Sequence, residues 1–119
     1  MAVFVIAEIG SSPAPAWDFA PWVEAVKEAG ADAIKGQMFK AEHFPVWEQA
    51  SKRAVEFPRH RLAELGNLVR AHELKFGMSV FDAVLVDAAA RHCDFLKLAA
   101  REQHNLALMF SVFAHDKPI

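Results

Sequence analysis

Apolar positions along this chain follow two periods, and the places where one gives way to the other mark out its elements. Short runs rich in β-branched and aromatic residues, Val3 to Ile9, Ala33 to Met38, Phe76 to Phe81 and Phe95 to Ala99, predict four strands. Helical spacing fills the intervals. Phe19, Trp22, Val23 and Val26 fall at i, i+3, i+4 and i+7, with Asp18 placed to cap, Pro21 in the first turn and Gly30 at the end. The stretch from Lys40 to Phe57 contains Pro45 and has weaker periodicity, which predicts a long loop with a short helix over Val46 to Ala54. Pro58 opens a helix with an apolar stripe of Leu62, Leu65, Val69 and Ala71. Asp82 caps a helix from Ala83 to His92, and Leu106, Met109, Phe110 and Phe113 form the stripe of the last one.

The resulting order, βαβαβαβα, predicts one α/β domain over residues 1–119 with parallel strands and right-handed crossovers. An eight-unit barrel typically needs ~250 residues, so four units read as a partial TIM barrel, a half barrel. Lys117, Pro118 and Ile119 read as the approach to another strand, and the second half of the barrel is expected elsewhere. An open half barrel has two unpaired edges and an uncovered interior, so a homo-oligomer is expected.

Polar residues gather at the C-terminal ends of the predicted strands: Glu8, then Lys35 with Gln37, then Ser79, then Lys97 with Glu102. Alternation puts Lys35 and Gln37 on one face of their strand. An ammonium inside a strand bundle is costly unless it meets an anion, and two of them point to a phosphate-bearing ligand. Snorkelling to the rim and pairing with a neighbour such as Glu8 is the plainer account, and a Schiff-base lysine is a further one. Glu8 and Glu102 read as a pair of carboxylates able to divide acid and base roles, although Glu102 also suits the first turn of a helix.

Charge narrows the partners. With 13 Lys+Arg against 15 Asp+Glu, the net charge of -2 offers no basic field for nucleic acid or an anionic membrane. No apolar run reaches membrane-spanning length, and the N-terminus lacks the basic region of a signal peptide. A lone cysteine, Cys93, fits a reducing cytoplasm and reads as a small buried apolar side chain. The 6 histidines show no metal-motif spacing, and His104 alone stands near the predicted strand ends. Trp17, on the first loop, is a candidate for a pocket rim, whereas Trp22 belongs to an apolar stripe.

Ile6, Ala7, Glu8, Ile9, Gly10, the run from Ala29 to Gln37 and Phe39, Lys40, Ala41, Glu42 together resemble the N-terminal part of the sialic acid synthase family. The likeness continues through Phe76 to Phe81 and Phe95 to Glu102 and so spans essentially the whole chain. It implies a (β/α)8 barrel that condenses phosphoenolpyruvate with an N-acylated amino sugar such as N-acetylmannosamine, releasing phosphate with the help of a divalent metal, Mn or Mg. Carried over by position, Lys35, Ser79 and Lys97 hold the phosphoenolpyruvate, Gln37 helps bind the substrates, and Glu8 and Glu102 face the reacting carbons. The family's metal-ligating histidines lie in the later half of the barrel and its antifreeze-like domain follows that, so no metal ligand is assigned in this chain.

Departures from the family pattern are specific. The Asn-His pair expected after Gly10 is replaced by Ser11, Ser12 and Pro13. At the third strand one hydroxyl, Ser79, remains of the usual Ser-Thr-Pro-Phe. The fourth strand end, usually Lys-Ile-Gly/Ala-Ser-Gly-Glu, reads Lys97, Leu98, Ala99, Ala100, Arg101, Glu102, with a serine lost and an arginine in place of glycine. Two readings follow: a nonulosonic acid synthase fragment that is inactive alone, or a non-catalytic half barrel that binds a phosphate ligand or only self-associates.

Overall fold

A computed structural model describes residues 2–119 and contains one four-stranded parallel sheet in the order β1 (Ile6–Gly10), β2 (Ala33–Met38), β3 (Lys75–Val80), β4 (Phe95–Leu98). Five helices accompany it: α1 (Ala20–Glu28), α2 (Val46–Arg53), α3 (Leu62–Ala71), α4 (Ala83–His92) and α5 (Leu106–Phe113). This is the predicted βα succession, with α2 as an extra helix inside the second crossover. Sequential strand order with parallel pairing is the arrangement of consecutive barrel units.

Register decides which face carries what. Paired residues in a parallel sheet point the same way, so Glu8, Lys35, Gly77 and Phe95 form one row across all four strands. Gln37, Ser79 and Lys97 form the next row toward the strand ends. The alternate positions, among them Ile34, Phe76, Met78, Val80 and Leu96, face the helices and are at most 1% exposed. At ~25 cal/mol per Å2, burial of these side chains contributes on the order of 1.5–3 kcal/mol each, so this face is the core. The polar rows lie on the other face, which no helix among the described residues covers.

Several local readings need correction. β1 starts at Ile6 rather than Val3, because Val5 is tied instead to the turn before β2: its N–H donates to Asp32 Oδ2 at 2.7 Å, and its carbonyl accepts from Asp32 at 2.9 Å. Asp18 does not cap α1; Phe19 occupies that position without a side-chain cap. Trp17, expected at a pocket rim, adopts φ 52° and joins the core with 8% exposure, meeting Phe57 edge-on at 5.5 Å, while Trp22, expected in the core, is 38% exposed. The stripe expected on α5 points outward: Phe110 and Phe113 are 73% and 60% exposed, and Leu108 and Val112 are buried instead. A helix apolar on nearly every side gives periodicity nothing to choose by.

Asp82 caps α4 as expected, accepting the Val84 N–H at 3.1 Å. Beyond α5 the chain returns to the edge of β4, where the Leu96 N–H donates to the Pro118 carbonyl at 2.9 Å. No helix among the described residues is long and apolar enough to cross a membrane.

Candidate anion site at the strand ends

Glu8, Lys35, Gln37, Ser79, Lys97 and Arg101 line one hollow of about 300 Å3 at the C-terminal ends of the strands. Five of them belong to the two polar rows of the sheet, and the sixth comes from the turn after β4 (Ala100–Glu102). Lys35 is its centre. The ammonium donates to Ser79 Oγ at 2.6 Å and is paired with Glu8, and its side chain is only 12% exposed. Ser79 is itself buried, at 5% exposure. The cost of placing a cation on the sheet is therefore offset within the protein by a carboxylate and a hydroxyl.

Glu8 is held in place by backbone geometry. The pairing of β1 with β2 slips between Glu8 and Gly10, an irregularity that bends the strand end. Gly10 adopts φ 55°, a conformation in which a side chain is strained, and its N–H then donates to Glu8 Oε1 at 2.8 Å. One carboxylate oxygen is occupied by the backbone while the other faces Lys35.

Lys97 stands at the open side, exposed, with its Nζ donating to the adjacent Leu98 carbonyl at 2.9 Å. Glu102 does not join Glu8. It accepts from Asn105 Nδ2 at 3.2 Å, lies 3.8 Å from Arg101 Nε, and is not part of the lining. His104 is exposed. The family resemblance pointed to Arg101 only as a departure from its pattern; its place in the hollow depends on the turn that follows Ala99.

Beside the hollow, Phe39, Phe44 and Phe81 form a separate aromatic cluster with centroid separations of 5.0, 5.6 and 6.0 Å. His43 fastens the loop carrying Phe44 to α4. Its Nδ1 accepts the Lys40 N–H at 3.1 Å, which leaves the proton on Nε2 to donate to Asp82 Oδ2 at 2.9 Å. The Val84 N–H and then His43 hold the Asp82 carboxyl below its ordinary range. Among the described residues no three His, Cys, Asp or Glu side chains converge as a metal site would require. The described residues therefore offer no ligand set for the divalent cation that the resemblance implies. Cys93 is buried, and desolvation pushes its thiol up to about 12, so it is no nucleophile.

A second, larger hollow of about 510 Å3 opens at the opposite end of the strands between Phe4, Ile6, Lys75, Phe95 and Ile119. It is mainly apolar, with Lys75 and Asp94 as its charged residues, so the hollow at the C-terminal ends, where open and closed parallel sheets both keep their sites, is the candidate site.

The chain matches the profile of the NeuB family over residues 22–119. Among solved structures it is similar to a sialic acid synthetase from Leptospira borgpetersenii serovar Hardjo-bovis in complex with citrate, with a TM-score of 0.84 and 23% identity, covering 93% of this chain and 41% of that one. A spore coat polysaccharide biosynthesis protein E from Chromobacterium violaceum aligns with a TM-score of 0.79 and 19% identity over 95% of this chain and 38% of its own. A truncated 3-deoxy-D-arabino-heptulosonate 7-phosphate synthase from Thermotoga maritima gives 0.71 and 16%, over 97% and 38%. The chain thus spans about two-fifths of the length of these structures. No curated protein matches it significantly.

Proposed function

The chain belongs to the NeuB family, and from that membership we propose that it carries the phosphoenolpyruvate-binding part of a synthase that makes nonulosonic acids such as N-acetylneuraminate. The observation that carries the reading is Lys35, a cation nearly closed off from water on a sheet face, with Ser79 and Glu8 as its partners and Lys97 in the next row. An incoming phosphate offers that cation a second anionic partner without further desolvation, because the burial is already compensated.

In this reading Lys35, Lys97 and the Ser79 hydroxyl bind phosphoenolpyruvate through its anionic oxygens, and Gln37 supplies an amide to either substrate. In the reaction, C3 of the enol forms the new carbon–carbon bond to the aldehyde carbon of an N-acylated amino sugar such as N-acetylmannosamine. Water adds at C2, and phosphate leaves with its bridging oxygen. Glu8, anchored by the Gly10 N–H, is the proton-handling group available on this face. The remaining sugar contacts and the divalent cation of such a synthase are not among the groups that this hollow supplies. Alone, this chain binds the ligand and does not turn it over.

Calorimetric titration with phosphoenolpyruvate tests the assignment: binding that is lost in both Lys35→Ala and Lys97→Ala supports it, and no heat from the unaltered chain rejects it. Phosphate release from phosphoenolpyruvate and N-acetylmannosamine with manganese present is expected to be absent, and turnover by this chain would refute the inactivity.

One observation favours a second reading, a half barrel that only self-associates. Phe4, Ile6 and Ile119 are 59%, 44% and 56% exposed around the larger hollow, an apolar surface suited to another copy. Light scattering at micromolar concentration addresses it: a dimer that binds no phosphoenolpyruvate favours the scaffold, and a monomer rejects it.

A further inference from the structure

Arg101 is held in the hollow differently from the other two cations. Lys35 is paired with Glu8 and Ser79, and Lys97 with a backbone carbonyl. The Arg101 guanidinium instead lies 4.4 Å over the ring of Phe44. Its nearest carboxylate contact, Nε to Glu102, is 3.8 Å, longer than a hydrogen bond, and it makes no hydrogen bond among the described residues. Stacking engages the face of a guanidinium and leaves its N–H edge available, since the two interactions use perpendicular directions.

The platform under it is firm. Phe44 is 9% exposed, packed edge-on to Phe39 and tilted against Phe81, and these two continue from the ends of β2 and β3. Lys52 sits 4.6 Å from the same ring, so Phe44 faces two cations. The hollow holds three cations, Lys35, Lys97 and Arg101, against the one carboxylate of Glu8, which Lys35 and the Gly10 N–H already engage. With Glu8 offsetting one charge, two positive charges remain, and they come from two different elements, Lys97 on β4 and Arg101 on the turn after it.

Resting on the reading of the hollow as a phosphoenolpyruvate site, we propose that Arg101 is a further specificity-determining residue. Its fork takes the second anionic group of a small ligand whose first sits at Lys35 and Lys97, and so selects a phosphate–carboxylate compound over a simple phosphate. A planar fork matches a carboxylate in two parallel hydrogen bonds, which an ammonium does not provide.

The test compares phosphoenolpyruvate, inorganic phosphate and pyruvate on the unaltered chain, Arg101→Ala and Arg101→Gln, by calorimetry. The expected result is that both variants weaken phosphoenolpyruvate roughly tenfold, as for one charge-assisted bidentate contact, while inorganic phosphate changes by less than about twofold. Arg101 is exposed, so both variants should melt with the unaltered chain. Equal weakening of phosphoenolpyruvate and phosphate would reduce Arg101 to a non-selective charge and overturn the inference. Unchanged phosphoenolpyruvate affinity in both variants would overturn it too, leaving the parent reading intact. Absence of phosphoenolpyruvate binding by the unaltered chain would remove both together.

Discussion

Lys35 on β2 donates to Ser79 Oγ on β3 across 2.6 Å, although its register partner is Gly77, two residues earlier on that strand. The ammonium therefore leans toward the C-terminal end of the sheet, where Glu8 meets it. The two members of this ion pair differ in exposure, 12% for Lys35 and 39% for Glu8. Removing Glu8 strands a nearly buried cation, whereas removing Lys35 leaves a carboxylate that water and the Gly10 N–H can still solvate. Urea denaturation should show Glu8→Ala costing about 1–2 kcal/mol and Lys35→Met costing less. The reverse order would contradict this account of the pair.

Asp82 links the cap of α4 to the loop that carries Phe44. Replacing it with alanine should cost about 1 kcal/mol at neutral pH, a typical cap value, with little added for His43 because the carboxylate is 38% exposed and well screened. Its folded-state pKa is depressed, first by the Val84 N–H and then by His43. Its contribution is therefore fully present above the ordinary carboxylate range and is lost as pH falls below about 4. The difference between the unaltered chain and Asp82→Ala should shrink on acidification. A difference that stays constant down to pH 2 would count against the cap.

Gly77 lies beneath Phe95 on the uncovered face. A Cβ built there clashes with the Phe95 ring, so Gly77→Ala must push the ring aside. Overpacking of this kind costs about 1–3 kcal/mol, toward the lower end here because Phe95 is only half-buried and can swing into the open hollow. The double variant with Phe95→Ala should recover most of the loss that Gly77→Ala adds. Additive losses in the double-mutant cycle would show that the two do not meet.

Cys93 titrates far above its ordinary range, at about 12, chiefly through burial and then through Asp94. In the unfolded chain the thiol ionises near 8.5, so its neutral-form contribution is complete below that pH and is lost as pH rises through about 12. Stability should fall more steeply between pH 9 and 11 in the unaltered chain than in Cys93→Ala. At pH 8 the thiol should react with Ellman's reagent only as fast as the chain opens, and immediate labelling of folded protein would refute the burial.

Much of this fold was legible because its signals are local. Asp82 caps the helix Ala83–His92, and Gly30 at φ 80° ends α1, each as residue chemistry dictates. Strands β2 and β3 are legible because continuous apolar runs of that length have few alternatives. The polar positions at the strand ends followed from alternation and parallel order, which together place Lys35, Gln37, Ser79 and Lys97 on one face.

What escaped was tertiary. Trp17 is buried because a left-handed turn swings it under Phe57, and no periodicity reports such a turn. The α5 face was misassigned because Leu106, Leu108, Met109, Phe110, Val112 and Phe113 surround the helix. Arg101 and Glu102 are adjacent in sequence, yet the short turn sends only Arg101 into the hollow.

The most direct test of the central claim is amide chemical-shift mapping of this chain during titration with phosphoenolpyruvate. The account predicts saturable shifts at Gly10, Gln37, Ser79 and residues 99–101, at the C-terminal ends of the strands, and their loss in Lys35→Ala. Shifts confined to the apolar hollow around Phe4, Phe95 and Ile119, or no saturable shift at all, would contradict it.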